Sequence, residues 1–167
     1  MHTMYSLDAY MGENRVTPDM AYRFAKGEAV AVPGGMARLH KPLDFAAITD
    51  HAEFYGESYA ATDPDSHAAK DPLDRLYDKP MSVLIRNPTD SELISELVFV
   101  ELVQRSTRSG EQSALGAAAG CPGRNNTWQK IVAATEAHNE PGVFTTLHAF
   151  EWSSAPDSAN LHRNVIF

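Results

Sequence analysis

The sequence predicts an α/β fold, and two similar segments carry most of that prediction. Residues 43–48 form a short apolar run that ends in Thr49-Asp50-His51, and residues 143–150 form a second run that ends in Glu151. Short apolar runs bounded by turn signals are typical of buried strands, and helical patterns lie before and between the two. Folds of this class place ligand-binding side chains at the carboxyl ends of their strands.

The first predicted helix covers residues 17–27. Thr17 can cap the first turn with its hydroxyl, and Pro18 suits the first helical position. Asp19 favours the positive end of the helix dipole, and Gly27 supplies the stop.

Residues 62–125 are predicted to be a mainly helical excursion between two strands. The clearest helix within it covers 90–108, where Thr89 and Glu92 match a capping box. The excursion has too few hydrophobic layers to fold alone, so residues 1–167 are predicted to form a single domain.

The end of the chain predicts a hairpin. The segment 152–161 is too short for a parallel crossover, which needs about a dozen residues or more. An antiparallel hairpin places Glu151 and His162 at the same rim.

The other predicted elements are a Pro/Gly-rich loop over 32–35, a strand over 43–49, a helix over 52–60, a helix from 127 to 138, a strand over 143–151 and a last segment over 161–167.

His51 has the strongest local case as a metal ligand, because it leaves a buried strand beside Asp50. Asp50 could itself be a ligand, could orient His51, or could cap a helix that begins at Ala52. Glu53 and Glu57 are better explained as first-turn and surface acids.

Four further residues complete the candidate site. Glu151 follows a mostly apolar run, and a buried carboxylate needs a partner or a metal. His162 follows after a short polar loop. His2 and Asp8 carry weaker local signals, because the residues between them could equally belong to a frayed terminus. Histidines and carboxylates delivered from successive elements are typical of a metal site with nitrogen and oxygen ligands.

The remaining histidines have simpler explanations. His148 stands three positions before Glu151, so in an extended strand it faces the helical layer and is predicted to be a core histidine. His138 lies at a helix end, where a cation complements the dipole. His40 and His67 lie in predicted loops. An anionic substrate could be held by Arg38, Lys41 or Arg163, and the sequence does not choose among them.

The composition predicts a soluble globular protein, with 43% hydrophobic and 22% charged residues. No apolar run is long enough to span a bilayer, and the N-terminus lacks a signal-peptide pattern, so no membrane partner is expected and the localisation stays open. A net charge of -8 argues against a nucleic-acid partner. Cys121 is the only cysteine and is predicted to be an incidental thiol, so the expected ligands are nitrogen and oxygen. Neither a Gly-x-Ser-x-Gly nucleophile motif nor a glycine-rich phosphate loop is present.

Four short motifs in order carry a family resemblance. They are His2-Thr3-x-x-Ser6-x-Asp8-Ala9-Tyr10, the segments 42–45 and 49–54, Phe150-Glu151-Trp152, and Asn160-Leu161-His162-Arg163. Together they resemble the PHP (polymerase and histidinol phosphatase) superfamily of metal-dependent phosphoesterases, and within it the family named domain of unknown function 3604 (DUF3604). The motifs are spread over nearly all of the chain, so the resemblance is global.

The resemblance implies an irregular (β/α)7 barrel with two or three divalent metal ions at one rim. The implied nucleophile is a water activated by the metals, so no side chain is assigned as the catalytic group. Zinc, manganese and iron all suit such ligands. The motifs assign metal binding to five residues: His2, Asp8, His51, Glu151 and His162. They assign to Asp50 the role of supporting these ligands without binding the metal itself.

The chain departs from the family pattern at both ends. The first histidine of the family's opening His-x-His pair would precede residue 1, and a later histidine and a closing Asp-x-His would follow Phe167. We therefore expect a partial barrel truncated at both ends, an N-terminal fragment that carries about half of the metal site.

The implied function is metal-dependent hydrolysis by a phosphoesterase, acting on a small phosphate ester or a similar anionic substrate. Two alternatives stay open: a metal-dependent amidohydrolase, and a non-catalytic or inactive fragment of such a protein. By itself, the 167-residue chain is expected to bind metal weakly and to lack activity.

Overall fold

A computed structural model of the chain describes residues 1–52, 126–154 and 161–167. The predicted helix at 52–60 beyond Ala52, the excursion at 62–125, His67 and Cys121 lie outside the described residues. The described helices are α1 (Leu7–Met11), α2 (Pro18–Ala25) and α3 (Asn126–His138). The described strands are β1 (Val30–Val32), β2 (Gly35–Ala37), β3 (Phe45–Ala47), β4 (Thr145–Leu147), β5 (Ala149–Ser154) and β6 (Leu161–Ile166).

Helix α2 confirms the first predicted helix, including the cap at Thr17, the position of Pro18 and the stop at Gly27. The Thr17 hydroxyl accepts a hydrogen bond from the Met20 amide at 3.2 Å, and Pro18 is the first helical residue. Gly27 follows the helix with a φ of 85°, a conformation that favours glycine. A Cβ at this position would lie 2.9 Å from Pro42 Cγ, so glycine is also required by the close approach of the next segment.

The segment predicted as a loop over 32–35 is the turn of a hairpin that the sequence analysis did not predict. Strands β1 and β2 pair antiparallel, with Val32 opposite Gly35. Between them Pro33 and Gly34 fill the two central turn positions, and Gly34 has a φ of 88°. Proline followed by a glycine of positive φ is typical of a type II turn.

Strands β3 and β4 form the parallel pair on which the site is built. Ala46 lies opposite Thr146 in their register. Beyond the strands the pairing continues: the Glu151 amide donates to the Asp50 carbonyl at 3.0 Å, and the Ala52 amide donates to the Glu151 carbonyl at 2.8 Å. The residues that leave β3 therefore run beside β5.

Strands β5 and β6 confirm the predicted antiparallel hairpin, with Glu151 opposite Asn164 and Ser153 opposite His162. The strand predicted over 143–151 is divided at His148 and extends further, to Ser154. The division separates β4, which pairs with β3, from β5, which pairs with β6.

The N-terminal segment lies against the residues that follow β3. The Thr49 amide donates to the Met1 carbonyl at 2.8 Å, and the His51 amide donates to the Ser6 hydroxyl at 3.2 Å. Because of these bonds, the start of the chain and the end of β3 reach the same place.

The core lies between α2, α3 and β3–β4. Tyr22 of α2 is fully buried, and its hydroxyl lies 2.9 Å from the Thr135 hydroxyl of α3. Ile131 and Thr135 are buried, and the ring of Trp128 contacts Phe150 edge to face. The buried cluster consists of Met4, Tyr5, Tyr10, Ala21, Tyr22, Ala25, Ala46, Ile48, Ile131 and Phe144. None of the helices among the described residues has the length and apolar character to cross a bilayer.

Candidate metal centre

The structure brings all five predicted ligands to one place, each from a different segment. His2 comes from the N-terminal segment and Asp8 from the first turn of α1. His51 follows β3, Glu151 lies in β5 and His162 lies in β6. The convergence results from the parallel pairing beyond β3 and from the β5–β6 hairpin.

The Glu151 carboxylate lies between two imidazoles. Its Oε2 is 2.8 Å from His2 Nε2, and its Oε1 is 2.9 Å from His162 Nδ1. The ring of His51 lies near both histidines, with ring centroids 4.9 Å from His2 and 5.2 Å from His162.

Asp8 faces the same cluster from the solvent side. Its Oδ2 is 3.3 Å from His2 Nδ1 and 3.5 Å from His51 Nε2, and its Oδ1 accepts a hydrogen bond from the Ser6 hydroxyl at 2.6 Å. Burial by itself would raise the pKa of Asp8, but hydrogen bonds from His2, His51 and Ser6 outweigh it and hold the pKa well below its usual range. The Asp8 carboxylate is therefore ionised at neutral pH.

The cluster is closed at one end and open at the other. The His51 side chain is only 4% exposed, whereas that of Asp8 is 43% exposed. The hydrogen bond with Asp8 raises the pKa of His2, burial opposes this, and Glu151 adds to it. The carboxylates of Asp8 and Glu151 thus give the cluster a negative potential that attracts cations.

Asp50 supports the cluster through the backbone. Its carboxylate is fully buried and accepts hydrogen bonds from the Thr3 amide and, at 2.6 Å, from the Thr3 hydroxyl. Burial raises the pKa of Asp50, and the bonds from Thr3 oppose that rise. Because Thr3 follows His2 directly, Asp50 holds the segment that carries His2. Its supporting role toward a metal stays a prediction.

Two serines were not among the predicted site residues, although both are buried in the cluster. The Ser153 hydroxyl is 2.8 Å from His51 Nδ1 and 3.0 Å from His162 Nδ1. Ser6 contacts Asp8 and His2. One signal could have found Ser153: it stands two positions after Glu151, so in a strand both side chains lie on the same face.

The donor set and its spacing fit a divalent cation. His2, His51 and Glu151 each offer one ligand atom, and these three atoms lie within 4.8 Å of one another. Metal–ligand bonds of roughly 2.0–2.2 Å place ligand atoms at most about 4.4 Å apart. A small side-chain adjustment therefore brings the three atoms to bonding distance, with Asp8 and His162 beside them. Imidazole and carboxylate ligands suit zinc, manganese and iron.

The other histidines of the described residues lie elsewhere. His148 Nε2 is 2.7 Å from Glu136 Oε1 of α3, which confirms that it faces the helical layer, but its side chain is 30% exposed rather than buried in the core. His138 pairs with Asp19 at 2.8 Å and stacks on Tyr22. His40 is an exposed loop residue, as predicted.

Two of the three candidate anion-binding side chains have local partners. Arg38 donates from Nε to the Gly27 carbonyl at 2.8 Å, and Arg163 donates to the neighbouring His162 carbonyl at 2.9 Å. Lys41 is exposed. The structure gives no reason to prefer one of the three.

Comparison with protein families places the whole chain in one group. The model of a family described as Protein of unknown function (DUF3604) matches residues 1–167. Comparisons with curated proteins and with solved structures found no match.

Proposed function

The chain belongs to the DUF3604 family of proteins of unknown function. From the predicted ligands that meet in the structure, we propose that the protein is a metal-dependent hydrolase. The reaction we propose is phosphoester hydrolysis. Within the same proposal, the family is a branch of the PHP superfamily, and the described strands and helices belong to an irregular (β/α)7 barrel.

One observation supports the proposal most strongly. Five residues chosen from the sequence as metal ligands converge, and three of them, His2, His51 and Glu151, offer ligand atoms within 4.8 Å of one another. A surface cluster of acids commonly occurs without a metal. Here, however, His51 is almost fully buried, and the carboxylates lie on both sides of the histidines.

The chain's own residues have distinct roles in this proposal. His2, His51 and Glu151 hold a divalent cation, and His162 and Asp8 complete its surroundings or hold a second one. When bound, such cations supply a water of lowered pKa and positive charge for phosphate oxygens. The open side near Asp8 admits the substrate, and the closed side at His51 excludes bulk water.

Phosphate esters are the substrate class we propose, because two cations at one rim would stabilise both the attacking oxygen and the leaving oxygen of phosphoester hydrolysis. Amide hydrolysis uses similar ligands, so the assay must compare both substrates. A small anionic ester is the simplest choice for the first measurement.

The test uses the natural full-length protein with p-nitrophenyl phosphate and a chromogenic amide. Hydrolysis of the phosphate ester should disappear on chelation and return with Mn²⁺ or Zn²⁺. The His51→Ala variant should lose the activity, whereas the His40→Ala variant, which removes an exposed loop histidine, should retain it.

The outcomes separate the alternatives. Metal-dependent cleavage of the amide but not of the ester assigns the protein to the amidohydrolase class. Absence of both activities, together with no cation binding by calorimetry, rejects the enzyme proposal and favours a non-catalytic role.

A further inference from the structure

The pairing register of β5 and β6 determines which of their residues face the cluster of predicted ligands. Opposite residues of an antiparallel pair lie on the same face, and successive residues of a strand alternate between faces. Ser153 lies opposite His162, and Glu151 lies opposite Asn164. Glu151 and Ser153 both contact the His162 ring, so these residues define the cluster face of the hairpin. Asn164 therefore lies on the cluster face as well, next to two predicted ligands.

Asn164 has no role in the proposed metal site, although it lies beside that site. The residue is exposed. Directly opposite residues have Cβ atoms about 4.5–5.5 Å apart, so the Asn164 side chain begins close to that of Glu151. Within residues 1–52, 126–154 and 161–167, its amide group makes no hydrogen bond. The amide is thus free to bind a group that reaches the cluster from solvent.

A neutral amide suits a position beside a carboxylate. An arginine or lysine opposite Glu151 would form an ion pair with it and would compete with a divalent cation for the carboxylate. The NH2 group of asparagine donates two hydrogen bonds and carries no charge. Asn164 can therefore donate to an oxygen of an anionic substrate without neutralising Glu151.

The neighbouring cation lies on the other face of the hairpin. Arg163 is opposite Trp152, and its guanidinium donates to the His162 carbonyl. Besides histidine, the side-chain donors on the cluster face of β5 and β6 are Ser153 and Asn164. The Ser153 hydroxyl already contacts two histidines. Asn164 is thus the donor that this hairpin offers to a substrate.

We infer that Asn164 is a substrate-binding residue, whose side-chain NH2 group donates a hydrogen bond to a phosphate oxygen of the ester. The inference rests on the proposed function and deepens it, because it names a residue that binds the anionic group. A hydrogen bond to a charged group changes affinity by about 10- to 100-fold.

The first measurement is the affinity for inorganic phosphate, obtained by calorimetric titration of the natural full-length protein loaded with Zn²⁺. Asn164→Ala should bind phosphate about 10- to 100-fold more weakly. Asn164→Asp keeps the shape of the side chain but has no donor when ionised, so it should bind phosphate at least as weakly. The affinity for Zn²⁺ should stay unchanged in Asn164→Ala. Phosphate affinity equal to that of the unsubstituted protein in both variants overturns the inference.

Two further variants serve as controls. Arg163→Gln changes the adjacent residue on the other face and should leave the phosphate affinity unchanged. Asn139→Ala removes an amide that accepts a hydrogen bond from the Thr146 amide at 3.2 Å, outside the cluster, so it should lower only the urea midpoint. Loss of phosphate affinity in Arg163→Gln but not in Asn164→Ala would assign the anion to Arg163 and reject Asn164.

The side-chain amide signals of Asn164 give a readout that needs no variant. They are assigned through the backbone resonances of ¹⁵N,¹³C-labelled protein loaded with Zn²⁺. Addition of inorganic phosphate should shift both proton signals of the NH2 group. Signals that stay in place while phosphate binds overturn the inference, even if no Asn164 variant folds.

The results separate this inference from the proposed function. If the unsubstituted protein neither binds phosphate nor hydrolyses the phosphate ester, both proposals fail. If it hydrolyses the ester in a metal-dependent way and Asn164→Ala keeps the same KM and phosphate affinity, only the role of Asn164 is rejected, and the proposed function stands.

Discussion

The imidazole of His2 and the carboxylate of Glu151 lie 2.8 Å apart although 149 positions separate them in the sequence. Two sets of bonds produce this contact. The N-terminal segment is fixed beside the end of β3 by the bond from Thr49 to Met1, and β5 is fixed on the other side by the bond from Glu151 to Asp50. The pair is therefore the point where the two halves of the candidate site meet.

Glu151→Gln should lower divalent-cation affinity by more than about 100-fold. This loss exceeds the one expected when a residue that only hydrogen-bonds to a metal ligand is removed. The amide preserves the shape of the side chain but removes the charge that faces both His2 and His162. Calorimetric titration of Mn²⁺ measures the effect. The control is Glu140→Gln, since Glu140 pairs with Lys26 outside the cluster. An equal loss in both variants would mean that only the overall charge matters.

Ser153→Ala should lower cation affinity by about 10- to 100-fold, because the hydroxyl bonds Nδ1 of both His51 and His162. Thr146→Val provides the control: it removes a buried hydroxyl that donates to the Thr135 carbonyl at 2.7 Å, outside the cluster. Both variants should unfold at lower urea concentration. Only Ser153→Ala should change the titration of Zn²⁺, and a normal titration for it would contradict the prediction.

Tyr22→Phe should cost about 0.5–1.5 kcal/mol of unfolding free energy at pH 8. Thr135 donates its only hydroxyl proton to the Ile131 carbonyl at 2.8 Å, so the Tyr22 hydroxyl is the donor in their 2.9 Å contact. Phenylalanine fills the same space but leaves this oxygen without its donor. Urea unfolding followed by circular dichroism gives the difference, and equal stability would show that the bond contributes nothing net.

The same pair of proteins tests a pH dependence. Burial raises the pKa of Tyr22 above its ordinary value of 10.0. Above that pH the unfolded chain loses the proton before the folded protein does, so the unfolding free energy falls as pH rises. The advantage of Tyr22 over the phenylalanine variant should therefore be fully present below pH 10 and shrink above it. An advantage that stays constant up to about pH 11 would show that the buried hydroxyl titrates normally.

Gly27→Ala should destabilise the protein by about 2–4 kcal/mol. The left-handed backbone is strained with any side chain, and the new Cβ would lie 2.9 Å from Pro42 Cγ. Gly34→Ala is the matched comparison, because Gly34 has a similar φ of 88° but open space around it. It should cost only the backbone strain, about 1–2 kcal/mol. Equal urea midpoints for the two variants would exclude the contact with Pro42 as a cause.

Local signals predicted several elements closely. The cap at Thr17 and the stop at Gly27 predicted α2. The helix predicted from 127 to 138 corresponds to α3. The short link after Glu151 predicted the β5–β6 hairpin. In each case the deciding atoms lie within a few residues of one another, so the sequence contains the whole interaction.

Other features were missed because their cause is not local. The hairpin of β1 and β2 was predicted only as a loop, since its strands are three residues long and carry too little periodicity to recognise. The break at His148 reflects a change of partner strand, which no pattern within 143–151 records.

Which side chains could bind a metal follows from local properties, namely histidine and carboxylate chemistry and the positions of His51 and Glu151 after apolar runs. Tertiary structure decided how these side chains meet. The Ser6 and Ser153 hydroxyls became part of the cluster only because packing brings His51 against both of them. The hydrogen bonds from Thr3 to the Asp50 carboxylate arise in the same way, because a buried carboxylate accepts from the nearest donors that packing provides.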